Sequence, residues 1–202
     1  MRRGDELLAE RTVSPDAADA LQLELWAKLA PGEQTLALEF TQAAGTATPA
    51  AAANLPWSLD VSYHAELPAD DPAAPVAITT SLRAGDVVEG DPVALDITVT
   101  NTTEREQPTP IAIVGLPAGL ELPTRVLEDL QRSERFAHWE LRGRDLVLYW
   151  RTLAPGAEQR LVLDLVARVP GRSTGAASRS YLYYTPGAVH WAAPLVVTIA
   201  AR

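Results

Sequence analysis

The chain has no cysteine. That excludes disulfides, thiolate metal sites and a cysteine nucleophile, and it leaves the redox compartment open. Lysine is nearly absent: Lys28 is the only one, and the other basic residues are arginines. No apolar run approaches the roughly 20 residues needed to span a bilayer as a helix. The first residues, Met1-Arg2-Arg3-Gly4-Asp5-Glu6, lack the apolar stretch of a secretory signal. Positive charge is in deficit too, with 17 basic against 26 acidic residues and a net charge of −9. Nucleic-acid binders normally present a basic face to phosphates, so nucleic acid is not an expected partner. Arg132, Arg135, Arg142, Arg144 and Arg151 do cluster, but Glu134, Glu140 and Asp145 are interleaved with them, so the stretch reads as a solvated mixed-charge surface.

What the 202 residues do have is a period of two. Leu21, Leu23 and Leu25 alternate with other residues, as do Leu36, Leu38 and Phe40, and Leu59, Val61 and Tyr63. Val93, Leu95, Ile97 and Val99 give the cleanest alternation. Ile111 and Ile113, then Leu161, Leu163 and Leu165, then Leu195, Val197 and Ile199 follow the same rule. Such alternation sets one face of a strand on a core and the other in water. Leu146-Val147-Leu148-Tyr149-Trp150 does not alternate, which predicts a central strand covered on both faces. Turn signals separate the runs: Pro31-Gly32, Gly85-Asp86, Gly90-Asp91-Pro92, Asn101-Thr102-Thr103 and Pro155-Gly156. With no βαβ rhythm, the class is all-β, an antiparallel β-sandwich.

One segment keeps a helical spacing. Val126, Leu127 and Leu130 share a face, Thr124 is placed to cap, and Pro123 stiffens the approach. Glu128 and Arg132 stand four apart in the favourable order. This predicts one short inserted helix over about 124–134. The acidic, proline-rich run from Leu67 to Pro75 reads as a stiff extended linker. The chain therefore divides into a smaller β-domain at 1–67, which has few strands and reads as incomplete, the linker at 68–75, and a sandwich at 76–202.

Chemical motifs are sparse. There is no glycine-rich phosphate loop. Gly171-Arg172-Ser173-Thr174-Gly175 has the spacing of a nucleophile elbow, but Pro170 precedes it and no helix follows, so it reads as a hairpin loop. His64, His138 and His190 are far apart and read as surface or interface residues; no metal or cofactor site is expected. Asp70-Asp71 reads as a pair that keeps the linker solvated, and Asn101-Thr102-Thr103 as a turn. Trp57, Trp150, Trp191, Tyr181, Tyr183 and Tyr184 are candidates for a sugar-stacking platform, yet consecutive Tyr183 and Tyr184 would face opposite sides of a strand, which sends one to the core. With no nucleophile–base pair, the chain does not read as an enzyme.

Four elements in the second half form a recognisable series. Ile111 to Leu120 is an apolar strand ending in a small-residue turn; Thr124 to Glu134 is the helix; Leu146-Val147-Leu148-Tyr149 is an apolar strand ending in an aromatic; Tyr181-Leu182-Tyr183-Tyr184 is a Tyr-x-Tyr-Tyr signature. In this order they resemble the C-terminal receptor-binding domain of the α2-macroglobulins. The resemblance covers about residues 72–202. More weakly, Leu25 to Gln34 and Leu55 to Val61 are similar to the end of the CUB-type β-domain of bacterial members.

The resemblance implies a non-catalytic module of a bacterial α2-macroglobulin-like protease inhibitor, periplasmic or extracellular. It would pack against a thioester domain and shield its reactive bond, so its partners would be neighbouring domains of the same or a longer chain and, indirectly, proteases. The departures are plain. The Gly-Cys-Gly-Glu-Gln thioester signature is missing, and the helix carries Arg125 and Arg132 where vertebrate relatives use lysines for a receptor. Arg125, Asp129, Arg132 and Trp191 are the candidate partner-binding residues. The alternative is a free-standing carbohydrate-binding or adhesion sandwich.

Overall fold

The computed structural model describes residues 1–11, 22–23, 35–39, 58 and 65–202. The strands expected around Leu21–Leu25 and Leu59–Tyr63 lie largely outside these residues, as do Trp57 and His64. Two compact units divide the chain, Met1–Ser62 and Tyr63–Arg202.

In the first unit, β1 (Arg2–Arg3) and β2 (Glu6–Leu7) form a small antiparallel hairpin. Gly4 supplies the left-handed backbone its turn requires, at φ 57°. Arg2 also exchanges two backbone hydrogen bonds with Ala37, at 2.8 and 2.9 Å. Leu36 and Leu38 are half-buried between exposed neighbours, in keeping with their alternation.

The second unit is an antiparallel sandwich. Its elements are β3 (Val76–Leu82), β4 (Asp86–Val88), β5 (Pro92–Asn101), β6 (Gln107–Pro108), β7 (Pro110–Gly115), β8 (Leu120–Glu121), α1 (Thr124–Arg132), β9 (His138–Arg142), β10 (Asp145–Tyr149), β11 (Thr152–Leu153), β12 (Glu158–Ala167), β13 (Gly171–Thr174), β14 (Ser178–Leu182), β15 (Thr185–Ala192) and β16 (Val196–Ala200). One sheet runs β3-β5-β12-β8 and the other β15-β14-β7-β10-β9. A third sheet runs β13-β16-β4, in which β4 and β16 are parallel while the other strand pairs of the unit are antiparallel, and β11 pairs with β6.

Sequence pattern becomes packing most directly in β5 and β12. Their register sets Val93 opposite Leu165, Leu95 opposite Leu163 and Ile97 opposite Leu161. All six are buried, so the alternation of each strand lands on the same inner face. They meet Ala112, Val114, Leu146 and Leu148 from the other sheet in one core, joined by Val197, Ile199 and Leu127. Each such leucine contributes about 1.5–3 kcal/mol by leaving water.

Ile111 and Ile113 hold a different place. All six residues of β7 are buried, making it the central strand of its sheet. Ala112 and Val114 face the core, while Ile111, Ile113 and Val147 form a separate small cluster under Tyr149 and Tyr181. β10 is buried on both faces as its unbroken apolar run predicts, although it is second from the edge rather than central.

The helix is shorter than predicted and is capped differently. It ends at Arg132, and its N-cap position is Pro123, with no side-chain cap; Thr124 is already its first residue. The Val126 N–H reaches the Pro123 carbonyl at 3.1 Å, so backbone does what the hydroxyl was expected to do. At the other end, Ser133 Oγ donates to the carbonyls of Asp129 and Leu130. Arg132 pairs with Asp129 at 2.8 Å, where the spacing had pointed to Glu128.

The proline-rich stretch is docked on the sandwich. Asp70 Oδ1 accepts the Trp191 N–H at 2.6 Å, and the Asp71 N–H reaches the Val189 carbonyl at 2.9 Å. Asp71 also holds its own turn, accepting from the Ala73 N–H at 2.7 Å. The Asp70 carboxylate and the Asp71 backbone N–H therefore fasten this stretch to the edge strand β15, while the Asp71 carboxylate closes its own turn.

Candidate interaction surfaces

Asn101, read as part of a turn, is a buried junction with no exposed surface. Its Nδ2 donates to the carbonyls of Arg105, Leu153 and Ala154 at 2.7–3.0 Å. Its Oδ1 accepts from the Thr103 N–H and hydroxyl. One side chain thereby ties the end of β5 to two later segments, and no surface remains for a ligand or modification.

The arginine cluster splits in two. Arg132 and Arg142 lie in ion pairs, with Asp129 and Glu140. Arg135 donates to the Arg160 carbonyl at 2.7 Å. Arg144 donates to the carbonyls of Leu116, Pro117 and Leu120, clasping the turn after β7. All five arginines of the cluster, Arg151 included, are exposed, as the mixed-charge reading expects; Arg135 and Arg144 spend their guanidiniums on backbone carbonyls.

The Gly171–Gly175 segment contains an edge strand, β13, rather than a hairpin loop. Ser173 Oγ accepts the Gly119 N–H at 3.2 Å and is engaged in holding a backbone turn. Gly115 and Gly175 sit where two backbones cross. A Cβ on Gly115 would stand 2.2 Å from the Ala176 carbonyl oxygen, and one on Gly175 2.5 Å from that of Gly115.

The aromatic residues do not form one platform. Trp150 is buried and its Nε1 donates to the Arg135 carbonyl at 2.9 Å. Tyr181 and Tyr149 cover the outer cluster on the five-stranded sheet. Tyr149 also stacks near His138, at 5.8 Å between centroids, and donates to Glu140 at 3.0 Å. The Arg142 guanidinium, with this phenol's help, holds the Glu140 carboxyl below the ordinary carboxylate range. Burial, and then the Glu140 hydrogen bond, push the Tyr149 phenol up.

Neither Tyr183 nor Tyr184 belongs to the core; they are 58% and 78% exposed. They fall in the turn between β14 and β15, so the strand rule of opposite faces does not apply. Their rings meet edge to face at 5.1 Å and 78°. The Tyr183 N–H is held by the carbonyl of Thr109, a β-branched residue in the left-handed region at φ 48°.

The predicted partner-binding residues occupy two places. Arg125, Asp129 and Arg132 are exposed on α1, which packs against β9 and β12. Trp191 lies on β15, at the opposite edge of the five-stranded sheet. There the Arg179 guanidinium stands 5.4 Å from its ring, and both line a cleft of about 660 Å³. Sequence reasoning singled out Trp191 but missed Arg172 and Arg179, which come from other strands. His190, next to Trp191, accepts the Ile78 N–H on Nδ1 at 3.3 Å and so links β15 to β3.

No protein-family model and no curated protein matches the chain. Solved structures do. The chain is similar to trypsin-activated alpha-2-macroglobulin from Escherichia coli, with 20% identity, a TM-score of 0.53, and coverage of 67% of this chain and 11% of that one. The native conformation of the Escherichia coli protein gives 20% identity and a TM-score of 0.53, over 68% of this chain and 10% of that one. Salmonella alpha-2-macroglobulin reacted with methylamine gives 22% identity and a TM-score of 0.51, over 65% and 10%. At these identities the likeness is one of fold. The class is thus an all-β sandwich, a fold it shares with a part of these structures. Its solved counterparts are bacterial alpha-2-macroglobulins, and this chain spans about a tenth of their length.

Proposed function

We propose that this chain is a non-catalytic interaction module of a bacterial α2-macroglobulin-like protease inhibitor. Residues 76–202 would form the receptor-binding-like sandwich, 68–75 its connection, and 1–67 a portion of a CUB-like β-domain. The module would pack against a thioester domain outside this chain and shield its reactive bond. Proteases would be met only indirectly, and the working compartment would be periplasmic or extracellular. The observation that carries this reading is the fold likeness to bacterial alpha-2-macroglobulins over about two thirds of the chain. The exposed Tyr183–Tyr184 tip adds support, since exposed aromatics of this kind are typical interface anchors.

The test is the size of the endogenous protein, by immunoblot of the source cells with an antibody raised against this chain. A band far above 21.7 kDa is expected. A single band at that mass would overturn the reading and favour a free-standing module.

A further inference from the structure

We propose that the cleft beside β13 binds an extended peptide segment bearing acidic side chains. The charge of the cleft runs against that of the protein. Arg83, Arg132, Arg142, Arg160 and Arg168 of this unit each have a carboxylate partner. Arg172 and Arg179, which line the cleft, have none among the described residues; nor do Arg105, Arg125, Arg135, Arg144, Arg151 and Arg202, but none of those lines this cleft. In a chain of net charge −9, two unneutralised guanidiniums in one cleft are a local reversal. Stacking against Trp191 steadies the Arg179 fork while leaving its N–H groups free to donate to a carboxylate.

The main chain of the cleft favours a peptide over a compact anion. Among the described residues β13 pairs with β16 alone, and its other edge carries no partner strand. In an antiparallel pair, alternate residues turn their N–H and C=O toward and away from the neighbour. The Gly175 N–H bonds the Leu195 carbonyl, toward β16. By the same phase Ser173 also faces β16, and Arg172 and Thr174 turn their backbone groups to the open edge. Those two residues line the cleft. Val196, 39% exposed, gives it an apolar floor, and the Gly175-Ala176-Ala177 run offers little side-chain bulk against a second backbone. Strand addition at such an edge takes affinity from main-chain bonds and specificity from alternate side chains, here acidic ones meeting Arg172 and Arg179. Glu66, the one carboxylate among the described residues of the rim, would repel acidic groups from its side and so help set the direction of the segment.

The experiment uses the full chain and fluorescein-labelled, end-capped peptides of alternating threonine and glutamate, read by fluorescence anisotropy at low salt. The glutamate peptide is expected to bind at least about tenfold tighter than its glutamine counterpart. Arg172→Gln and Arg179→Gln should each weaken it by about tenfold, while Arg160→Gln leaves it unchanged. The double variant Arg172→Glu/Arg179→Glu should bind a threonine–lysine peptide instead, a gain that misfolding cannot imitate. Equal binding of the glutamate and glutamine peptides, or an Arg160→Gln effect as large as that of Arg172→Gln, would overturn the proposal. So would polygalacturonate binding where no peptide does, which would make the ligand an anionic glycan. The inference does not rest on the inhibitor-module reading: an immunoblot band at the mass of this chain would leave it standing.

Discussion

The two margins of the five-stranded sheet treat their polar groups differently. On the β9 side, with α1 and the turns nearby, most of these groups are committed within the chain: Arg132 to Asp129, Arg142 to Glu140, Arg144 to three carbonyls, Tyr149 to Glu140; Arg125, exposed on α1, has no carboxylate partner among the described residues. On the β15 side, Arg172 and Arg179 have no carboxylate among the described residues, and the tyrosine tip projects into solvent. A polar group already satisfied has little to gain from a partner, whereas an unsatisfied one in a cleft has much. The contrast therefore sorts residues that hold the fold from residues available for recognition. On the proposed reading, Trp191 and Arg125 are more available to a partner than Asp129 and Arg132, which answer each other.

The largest effect should come from the backbone crossing. Gly115→Ala drives a methyl to within 2.2 Å of the Ala176 carbonyl oxygen, which side-chain rotation cannot relieve. Separating β7 from the 175–176 segment is expected to cost about 3 kcal/mol or more. Urea unfolding monitored by tryptophan fluorescence would show the midpoint falling; an unchanged midpoint would mean the crossing is looser than described. Asn101→Ala comes next. It leaves three carbonyls and the Thr103 groups without their partner, for about 3 kcal/mol. Arg144→Ala frees the 116–120 turn and should cost about 1–2 kcal/mol in the same assay.

The open side should behave in the opposite way. Tyr183→Ser and Tyr184→Ser remove exposed rings and should change stability by less than about 0.5 kcal/mol. If the inhibitor-module reading holds, the same variants should weaken association with the neighbouring domains, measured by co-purification of the full-length protein. A large loss of stability from Tyr184→Ser would erase the distinction between the two margins.

Legibility in the sequence follows the same division. Strands were legible wherever one face met water and the other the core, as in β5, β12 and β16. Ile111 and Ile113 alternated as a half-exposed strand would, because a local rule cannot see that Tyr149 and Tyr181 from other strands cover them. Tyr183 and Tyr184 misled because the opposite-face rule needs both residues in a strand, and β14 ends at Leu182, leaving both in the turn. Asn101 looked like a turn residue since its partners, Leu153 and Ala154, lie some fifty positions on. The cleft was illegible for the same reason: Glu66, Arg172, Arg179 and Trp191 share no motif, and only the folded topology gathers them.

The smallest effect concerns acid, and it tests the closed side by opening it. The Glu140 carboxyl lies below its ordinary value of 4.5 mainly because Arg142 bonds it, with Tyr149 adding a second bond. A carboxyl whose folded-state pKa is depressed contributes stability that is fully present above the unfolded value and is lost as the pH falls through the folded one. The contribution should therefore be complete at neutral pH and fade below the ordinary carboxylate range. Asp96, held down chiefly by its hydrogen bond to Arg83, should fade over the same side of the scale. Both carboxylates are solvent-facing, so each share is small and screened by salt. The comparison that isolates Glu140 is Glu140→Gln against the parent chain, melted at several pH values from neutral to acid. The variant should melt lower at neutral pH, and the gap should close as acid protonates the parent. A gap that is independent of pH would place the role of Glu140 in packing beside Tyr149, with no contribution from its charge.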